Sequence, residues 1–581
     1  MATAALDVVT GSILRAKLAS VIDEMATTLM NTAHSSRIST ARAFACGMLD
    51  EDGQVVALDN PLHLASVART SASVLDYYRF QVAADDVFVT NDPYGGGSTV
   101  QYFTLLAPLG HGDDIVAYLA VQAHLSDIGG VVMGNYHPTA IELWAEGARF
   151  TPLKIVVDGK PRRDGFDTVV LNSRDPEGFR GDLDAMLATI AVGRRRLAEL
   201  IDEHGLASVQ AGMAAAVDYA ERRLRGSLDR IPEGRFAGEA VLDHDGQGRS
   251  DLAVRVELER SGDGLRLDFA ATDDQSAGFV NSPTANTIAY ALLPLLGLLD
   301  ESVPLNAGLL RPLEIVLRPG SLVDPAYPAP TGWCREHVGF EITEAVSQAL
   351  ARALPEQAGL GFASRALVFT VTKDVLIGGV EEQLGVTDIG ALAQTGAPAT
   401  AFADGWGQPG PSSFGLLPSI EELEAEVAAS VVRLEYVTDS GGPGAHRGGL
   451  GTETVVRFAA GSRERLYACV AGVEHAQPGN QGGHAGGPVS LAVLRDGEEV
   501  EIGTLMQDDP LRAGAEVRLR SAGGGGHGDP RERPVEAVVD DVRHGYVSVE
   551  QARGVYGVAV DAATLALDPT GTAALRGGGG G

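Results

Sequence analysis

The side chains best equipped for chemistry lie between Asn91 and Glu146. A turn of Asn91, Asp92 and Pro93 runs into Gly95, Gly96 and Gly97, and two apolar runs with strand character follow. The second run ends at His124, with Asp127 and the pair Gly129-Gly130 close behind. An imidazole and a carboxylate at a strand end are materials of acid–base and metal chemistry, and glycines let a backbone approach a ligand. His124, Asp127 and Asp92 are therefore the catalytic candidates. His137, Glu142 and Glu146 occupy the next turn and helix, and His137 and Glu142 with His124 and Asp127 make a candidate metal set. His63 in the stretch NPLHL is a further candidate. Cys334, Arg335, Glu336 and His337 could form a polar cluster after a proline-rich loop. Each has a plainer alternative, as a satisfied core histidine, a cap or a surface loop.

Other chemistries find less support. There is no GxxxxGK[ST] phosphate loop, and none of the four lysines (Lys17, Lys154, Lys160 and Lys373) sits in a glycine-rich turn. A Gly-x-Ser-x-Gly nucleophile elbow is also missing. The run Gly523–Gly526 could turn its N–H groups toward an anion, or it could be a hinge.

The formal net charge of -32 argues against nucleic acid or an anionic membrane as partner, since both need a positive field. Cys46, Cys334 and Cys469 are odd in number and far apart, which fits a reducing cytoplasm. No apolar run reaches the roughly 18 residues that would suggest a membrane span. The N-terminus lacks a basic segment ahead of an apolar core, so a cytoplasmic location is expected.

The elements that must position these residues follow from periodicity. Apolar side chains at Ile13, Leu14, Leu18, Ile22, Met25 and Leu29 predict a helix over 7–33. A hairpin turning at Asp52-Gly53 follows, then a helix over 61–83 and glycine-punctuated strands over 84–160. Two amphipathic helices over 180–204 and 207–230 meet at Gly205, and the three arginines at 222, 223 and 225 read as a solvated face. Alternation marks strands over 236–275, an apolar core helix covers 280–300, and another helix covers 338–356. From 367 to 520 the chain reads as strands and turns, with glycine-dense loops at 404–410, 441–451 and 478–487. A charged helix runs from about Glu532 to His544, and Ser548 caps a second short one. At 581 residues several subdomains are expected, roughly 1–235, 236–365 and 366–560, followed by a tail over 561–581 that ends in disordered glycines. The fold class is α+β, with mixed β-sheets and packed helices.

Taken together, several stretches resemble the hydantoinase B/oxoprolinase family over about residues 7–560. They are RAFACGMLDEDGQVV, PLHL, NDPYGGGSTVQYFTLLAPL, AHLSDIGG and AEGARFTPLKIVVDGK, then SVPLNAGLLRPLEIVLRPGSLVDP and GGPGAHRGGLGTE. The most specific is GGGGHGDPRERPVEAVVDDVRHGYVSVEQARGVYGV. The resemblance implies a large subunit of an ATP-dependent hetero-oligomer. ATP would act only through a hydantoinase A-like partner, which phosphorylates an amide, lactam or ketone oxygen. In the N-methylhydantoinase and 5-oxoprolinase branch, the B-type subunit then completes ring opening of a cyclic amide by water at a metal centre. In the acetone/acetophenone carboxylase branch, it forms a carbon–carbon bond with activated bicarbonate. Hydrolysis of a cyclic amide is the expected activity, and ketone carboxylation is the alternative.

The resemblance also exposes departures. The family pattern carries Arg-Asp-Phe-Ser where this chain has Arg42-Ala43-Phe44-Ala45. It carries Gly-Thr-His-Leu-Pro-Asp where this chain has Gly97 to Tyr102. The positions that would supply most ligands for a divalent Mn, Zn or Fe ion are thus Ala43, Thr99 and Tyr102. Alanine cannot ligate, and neutral threonine and tyrosine are poor donors to such a cation. Three readings stand side by side. A site could be rebuilt from His124, Asp127, His137 and Glu142; the subunit could work without metal through His124 beside Asp127; or it could be an inert structural paralogue.

Overall fold

Asp7 opens the first helix, its carboxylate accepting the N–H groups of Val9 and Thr10 at 3.0 Å each. The computed structural model describes residues 7–300, 302–356, 366–375, 381–407, 419–459, 463–495 and 497–577. They fall into two units, one of Met1–Arg235 with Val256–Gly339, the other of Phe236–Arg255, Phe340–Ser413 and Leu417–Gly581. The stretch 236–365 is divided between them. The terminal glycines 578–581 and the end of the 404–410 loop lie outside the described residues.

The first unit is built on a seven-stranded sheet. Its strands are β1 (Phe44–Asp50), β2 (Val55–Leu58), β3 (Val87–Thr90), β4 (Tyr102–His111), β5 (Asp114–His124), β6 (Leu153–Val157) and β7 (Lys160–Pro161). Their order is β2-β1-β5-β4-β3-β6-β7, and every pairing is antiparallel. The Asp52-Gly53 turn joins β1 to β2, with Gly53 at φ 81°, where a side chain would be strained.

Among the described residues, eight α-helices belong to this unit: α1 (Val8–Thr32), α2 (Ser36–Ser39), α3 (Leu64–Tyr78), α4 (Leu143–Glu146), α5 (Arg163–Val170), α6 (Pro176–His204), α7 (Leu206–Leu228) and α8 (Thr284–Leu296). Leu14, Leu18, Ile22, Met25 and Leu29 share one face of α1 and join the buried core with α6, α7 and one face of the sheet. Gly193 on α6 lets that helix approach, since a Cβ there would stand 2.5 Å from the Met25 Sδ. Strands β8 (Gly234–His244), β9 (Ser250–Ser261), β10 (Gly264–Asp268) and β11 (Leu313–Val316) make a four-stranded sheet; the chain changes unit within β8 and again within β9.

The second unit holds α9 (Val338–Ala353) from Phe340 on, together with α10 (Ile420–Glu426), α11 (Val535–Arg543), α12 (Val549–Gly554) and α13 (Pro569–Gly577). Ser548 caps α12, its hydroxyl accepting the Gln551 N–H at 3.0 Å. One sheet runs β13 (Glu381–Asp388), β12 (Ala366–Val375), β16 (Glu464–Val470), β19 (Leu505–Pro510). The other runs β14 (Ala429–Tyr436), β15 (Thr452–Phe458), β20 (Glu516–Arg520), β17 (Ser490–Arg495), β18 (Glu498–Glu501).

The glycine-dense stretches are a structure of their own. Segments near 396–406, 440–451, 478–487 and 522–528 lie side by side and exchange backbone hydrogen bonds, among them Gly442 N–H to Gly524 O at 2.9 Å and Gly449 N–H to Ala397 O at 2.8 Å. A Cβ on Gly523 would run into Ser440, on Gly524 into Ala397, on Gly525 into Pro478 and on Gly526 into Pro443. The fourth position thus meets the same segment as the first. That is the threefold periodicity of a polyproline-type helix in which no face has room for a side chain. The anion-binding and hinge readings of Gly523–Gly526 are both corrected here. The N–H groups of Gly523, Gly524 and Gly526 already donate to Gly487, Gly449 and His484 carbonyls at 3.0 Å. Among the described residues, no helix is long and apolar enough to cross a membrane.

Candidate active site

The antiparallel pairing of β4 and β5 sets Tyr102 opposite His124, and the His124 N–H donates to the Ala43 carbonyl at 2.9 Å. Tyr102 in turn donates its N–H to Thr99 at 3.2 Å. The three positions where the resemblance placed ligands are therefore gathered beside His124, but they present a methyl group, a hydroxyl and a phenol ring.

The Tyr102 ring lies between two imidazoles, 5.1 Å from His63 and 5.2 Å from His124, with the Arg335 guanidinium 4.5 Å from its centre. His63 belongs to a single helical turn, Pro61–His63, that Asn60 caps by accepting the Leu62 N–H. A buried chain of hydrogen bonds orients it. Gln122 donates to the Thr104 hydroxyl at 2.7 Å, so its carbonyl faces Ser66 and His63, each 2.6 Å away. The carbonyl can only accept, which puts the His63 proton on Nδ1 and leaves the Nε2 lone pair toward the Arg335 guanidinium at 3.5 Å. Burial first, and then the Arg335 charge, push the His63 pKa down to about 3.

His124 is also neutral. Burial, then the charges of Arg37 and Arg335, hold its pKa well below the usual histidine range. Its Nε2 lies 3.1 Å from the Tyr136 hydroxyl, and its Nδ1 is buried with no hydrogen-bond partner. Tyr136 packs edge-on to Trp333, which stacks on His337 at 5.2 Å. The loop carrying Trp333 and Arg335 is fastened by Glu146, whose buried carboxyl accepts the N–H groups of Thr331 at 3.0 Å and Gly332 at 2.6 Å. Burial raises the Glu146 pKa to about 8.

The other candidates sit elsewhere. Asp127 is fully buried, and its carboxylate is taken by the Arg174 guanidinium at 2.9 Å and the N–H groups of Gly129, Gly134 and Arg174. Asp92 accepts the Tyr94 N–H at 3.0 Å and pairs with Arg149 at 3.5 Å, closing the NDPY turn. His137 is buried with Nδ1 unpartnered, whereas Glu142 is exposed at the start of α4. Among the described residues, no three His, Cys, Asp or Glu side chains come together to hold a metal ion. Sequence reasoning singled out His63, Glu146 and Arg335 without joining them to His124, and it passed over Gln122, Tyr136 and Trp333. The one signal available was the strand alternation that puts Gln122 and His124 on the same face of β5.

Comparisons with known proteins agree over nearly the whole chain. A family model described as hydantoinase B/oxoprolinase matches residues 7–530. The beta subunit of caprolactamase from Pseudomonas jessenii is 32% identical over 576 residues, covering 96% of this chain and 97% of that one. A putative D-/L-hydantoinase B-type subunit from Pseudomonas sp. (strain NS671) is 28% identical over 585 residues, covering 96% and 95%. The crystal structure of ATP-dependent caprolactamase from Pseudomonas jessenii aligns with a TM-score of 0.88 at 29% identity, over 99% of this chain and 100% of that one. Nucleotide-free acetone carboxylase aligns at TM-score 0.87 and 18% identity, over 98% of this chain and 82% of that one, and shares the fold.

Proposed function

The chain belongs to the hydantoinase B/oxoprolinase family, and we propose that it is the B-type subunit of an ATP-dependent complex that hydrolyses a cyclic amide. The observation that carries this reading is the near full-length identity to a caprolactamase beta subunit. A relative named as one subunit of several supports a hydantoinase A-like, ATP-binding partner that activates the amide oxygen by phosphorylation.

This chain then directs water onto the activated carbon. His124 Nδ1, buried and unpartnered, takes the proton of the attacking water, while the Tyr136 hydroxyl holds Nε2 and fixes the ring. Arg335, held over Tyr102 and against His63, faces the negative charge that develops on the activated oxygen. Asp127 positions the loop after His124 through Arg174 rather than meeting substrate.

The donors around His124 do not suit a divalent Mn, Zn or Fe ion. Ala43 offers no ligand atom, Asp127 is committed to Arg174 and backbone N–H groups, and Glu142 is exposed. The reading therefore assigns the chemistry to side chains.

Co-expression with a hydantoinase A-like subunit tests it, by following ADP and ring-opened amino acid from caprolactam, hydantoin and 5-oxoproline. ADP and amino acid formed only when both chains are present is the expected result. No turnover with any cyclic amide, with carboxylated product from a ketone and bicarbonate, would overturn it in favour of a carboxylase.

A further inference from the structure

A second polar site lies within the other unit, in a half-open cavity of about 190 Å³ between β8, α9 and the segment 475–478. Its polar lining is Glu239, Glu341, Glu344, Gln348, His475 and Gln477, and Val241, Phe340 and Pro478 form an apolar wall. We propose that this cavity binds a primary ammonium group carried on a short aliphatic stem.

The argument starts from Glu341. Its side chain is buried, with the residue 5% exposed, and its Oε2 has no hydrogen-bond partner. A carboxylate left in that state costs several kcal/mol unless a cation or proton meets it. Among the described residues, no lysine or arginine lines the cavity.

The neighbouring ionisable groups have partners of their own. Glu239 pairs with Arg255 at 2.5 Å, and Asp243 accepts the N–H groups of Val473, Glu474 and His475. Glu344 accepts from Gln348 at 3.2 Å, and His475 pairs with Asp251 at 2.7 Å. Of the described carboxylates lining the cavity, Glu341 is the one that presents an unsatisfied buried oxygen. The fold holds it rigidly, because Gly238 brings β8 so close to α9 that a Cβ there would run into the Ala345 carbonyl.

Once ionised, Glu341 needs a cation beside it, and the absence among the described residues of three suitably placed His, Cys, Asp or Glu side chains argues against a metal ion. An ammonium offers three donors to Glu341, Glu344 and Gln477, and its stem meets Val241, Phe340 and Pro478. Burial, then the charges of Asp243 and Glu344, raise the Glu341 pKa well above its usual value, so an arriving ammonium displaces a proton from it.

Titration calorimetry of the full-length chain with n-butylammonium, with n-butanol as the neutral control, tests the proposal. Saturable binding of the amine alone is expected. The binding enthalpy should differ between phosphate and Tris by the ionisation heat of the released proton. Glu341→Gln should weaken binding at least tenfold without lowering the melting temperature, and Glu344→Gln, a second variant that keeps the packing, should weaken it less. No saturable binding, or unchanged affinity in both variants, would overturn the proposal. Two sources of the ligand are separable: tighter binding of 6-aminohexanoate marks a ring-opened amide, and tighter binding of 1,5-diaminopentane marks a polyamine. Either result supports the site.

Discussion

Each unit buries a cluster of ionisable groups, and burial neutralises the two in opposite ways. Around Tyr102 it strips the proton from His63 and His124, leaving lone pairs beside the fixed charge of Arg335. In the cavity of the second unit it keeps the proton on Glu341. Desolvation disfavours whichever form is charged, so a buried base is held unprotonated and a buried acid is held protonated. The first cluster is equipped to activate water and the second to exchange a proton for a cation. The same physical term gives the two sites different chemistry.

The sharpest way to break that contrast is through the histidines. His124→Ala should lower turnover by about 10²–10⁴-fold in the assembled complex, the range for a positioned general base, while Glu341→Gln leaves it unchanged. Equal losses in steady-state kcat would erase the distinction.

Asp127→Asn should cost about 3 kcal/mol of stability, because it leaves Arg174 facing a neutral partner at a buried site. Chemical denaturation measures this, and activity should return at low temperature if Asp127 positions rather than reacts.

The two clusters should also give opposite pH slopes. His63 binds its proton near pH 3 when folded and near 6.5 when unfolded. The unfolded chain therefore binds more protons between those values, and stability falls as pH drops from 6.5 toward 3, by about 5 kcal/mol over the whole span. Glu341 is raised, so its folded form holds the extra proton and its contribution falls as pH rises above its usual value of 4.5. His63→Gln should flatten the acid limb, and Glu341→Gln should flatten the decline on the other side. Unfolding free energies across pH 4–8 decide it.

The smallest effect is expected from Arg149→Ala, which breaks a long, partly buried pair with Asp92 and should cost about 1 kcal/mol by thermal melting.

Local structure was largely legible from the sequence. The α1 face, the Asp52-Gly53 hairpin, the joint at Gly205 between α6 and α7 and the Ser548 cap all rest on short-range rules of period, turn and cap. The segments around Gly442 and Gly483 read as loops and Gly523–Gly526 as an anion site or a hinge, because packed glycine segments show neither a 2.0 nor a 3.6 residue period and have no side chains to alternate. At the site, the motif around His124 was readable, and so were the unusual residues at Ala43, Thr99 and Tyr102. Asp127 looked reactive because the residue that occupies it, Arg174, is 47 positions away. Arg335 reaches His63 across 272 positions. Nothing in either local stretch announces its partner.

The glycine bundle has a consequence for how the protein is made. Segment 522–528 is its centre strut, touching the segments at 397, 440–443 and 478. A chain emerging from the ribosome has the outer three first and must hold them without the one that fills the space between. The glycine bundle of the second unit therefore cannot close until segment 522–528 has been made, and a chain cut before Gly523 is left with three glycine segments exposed and nothing to bind them.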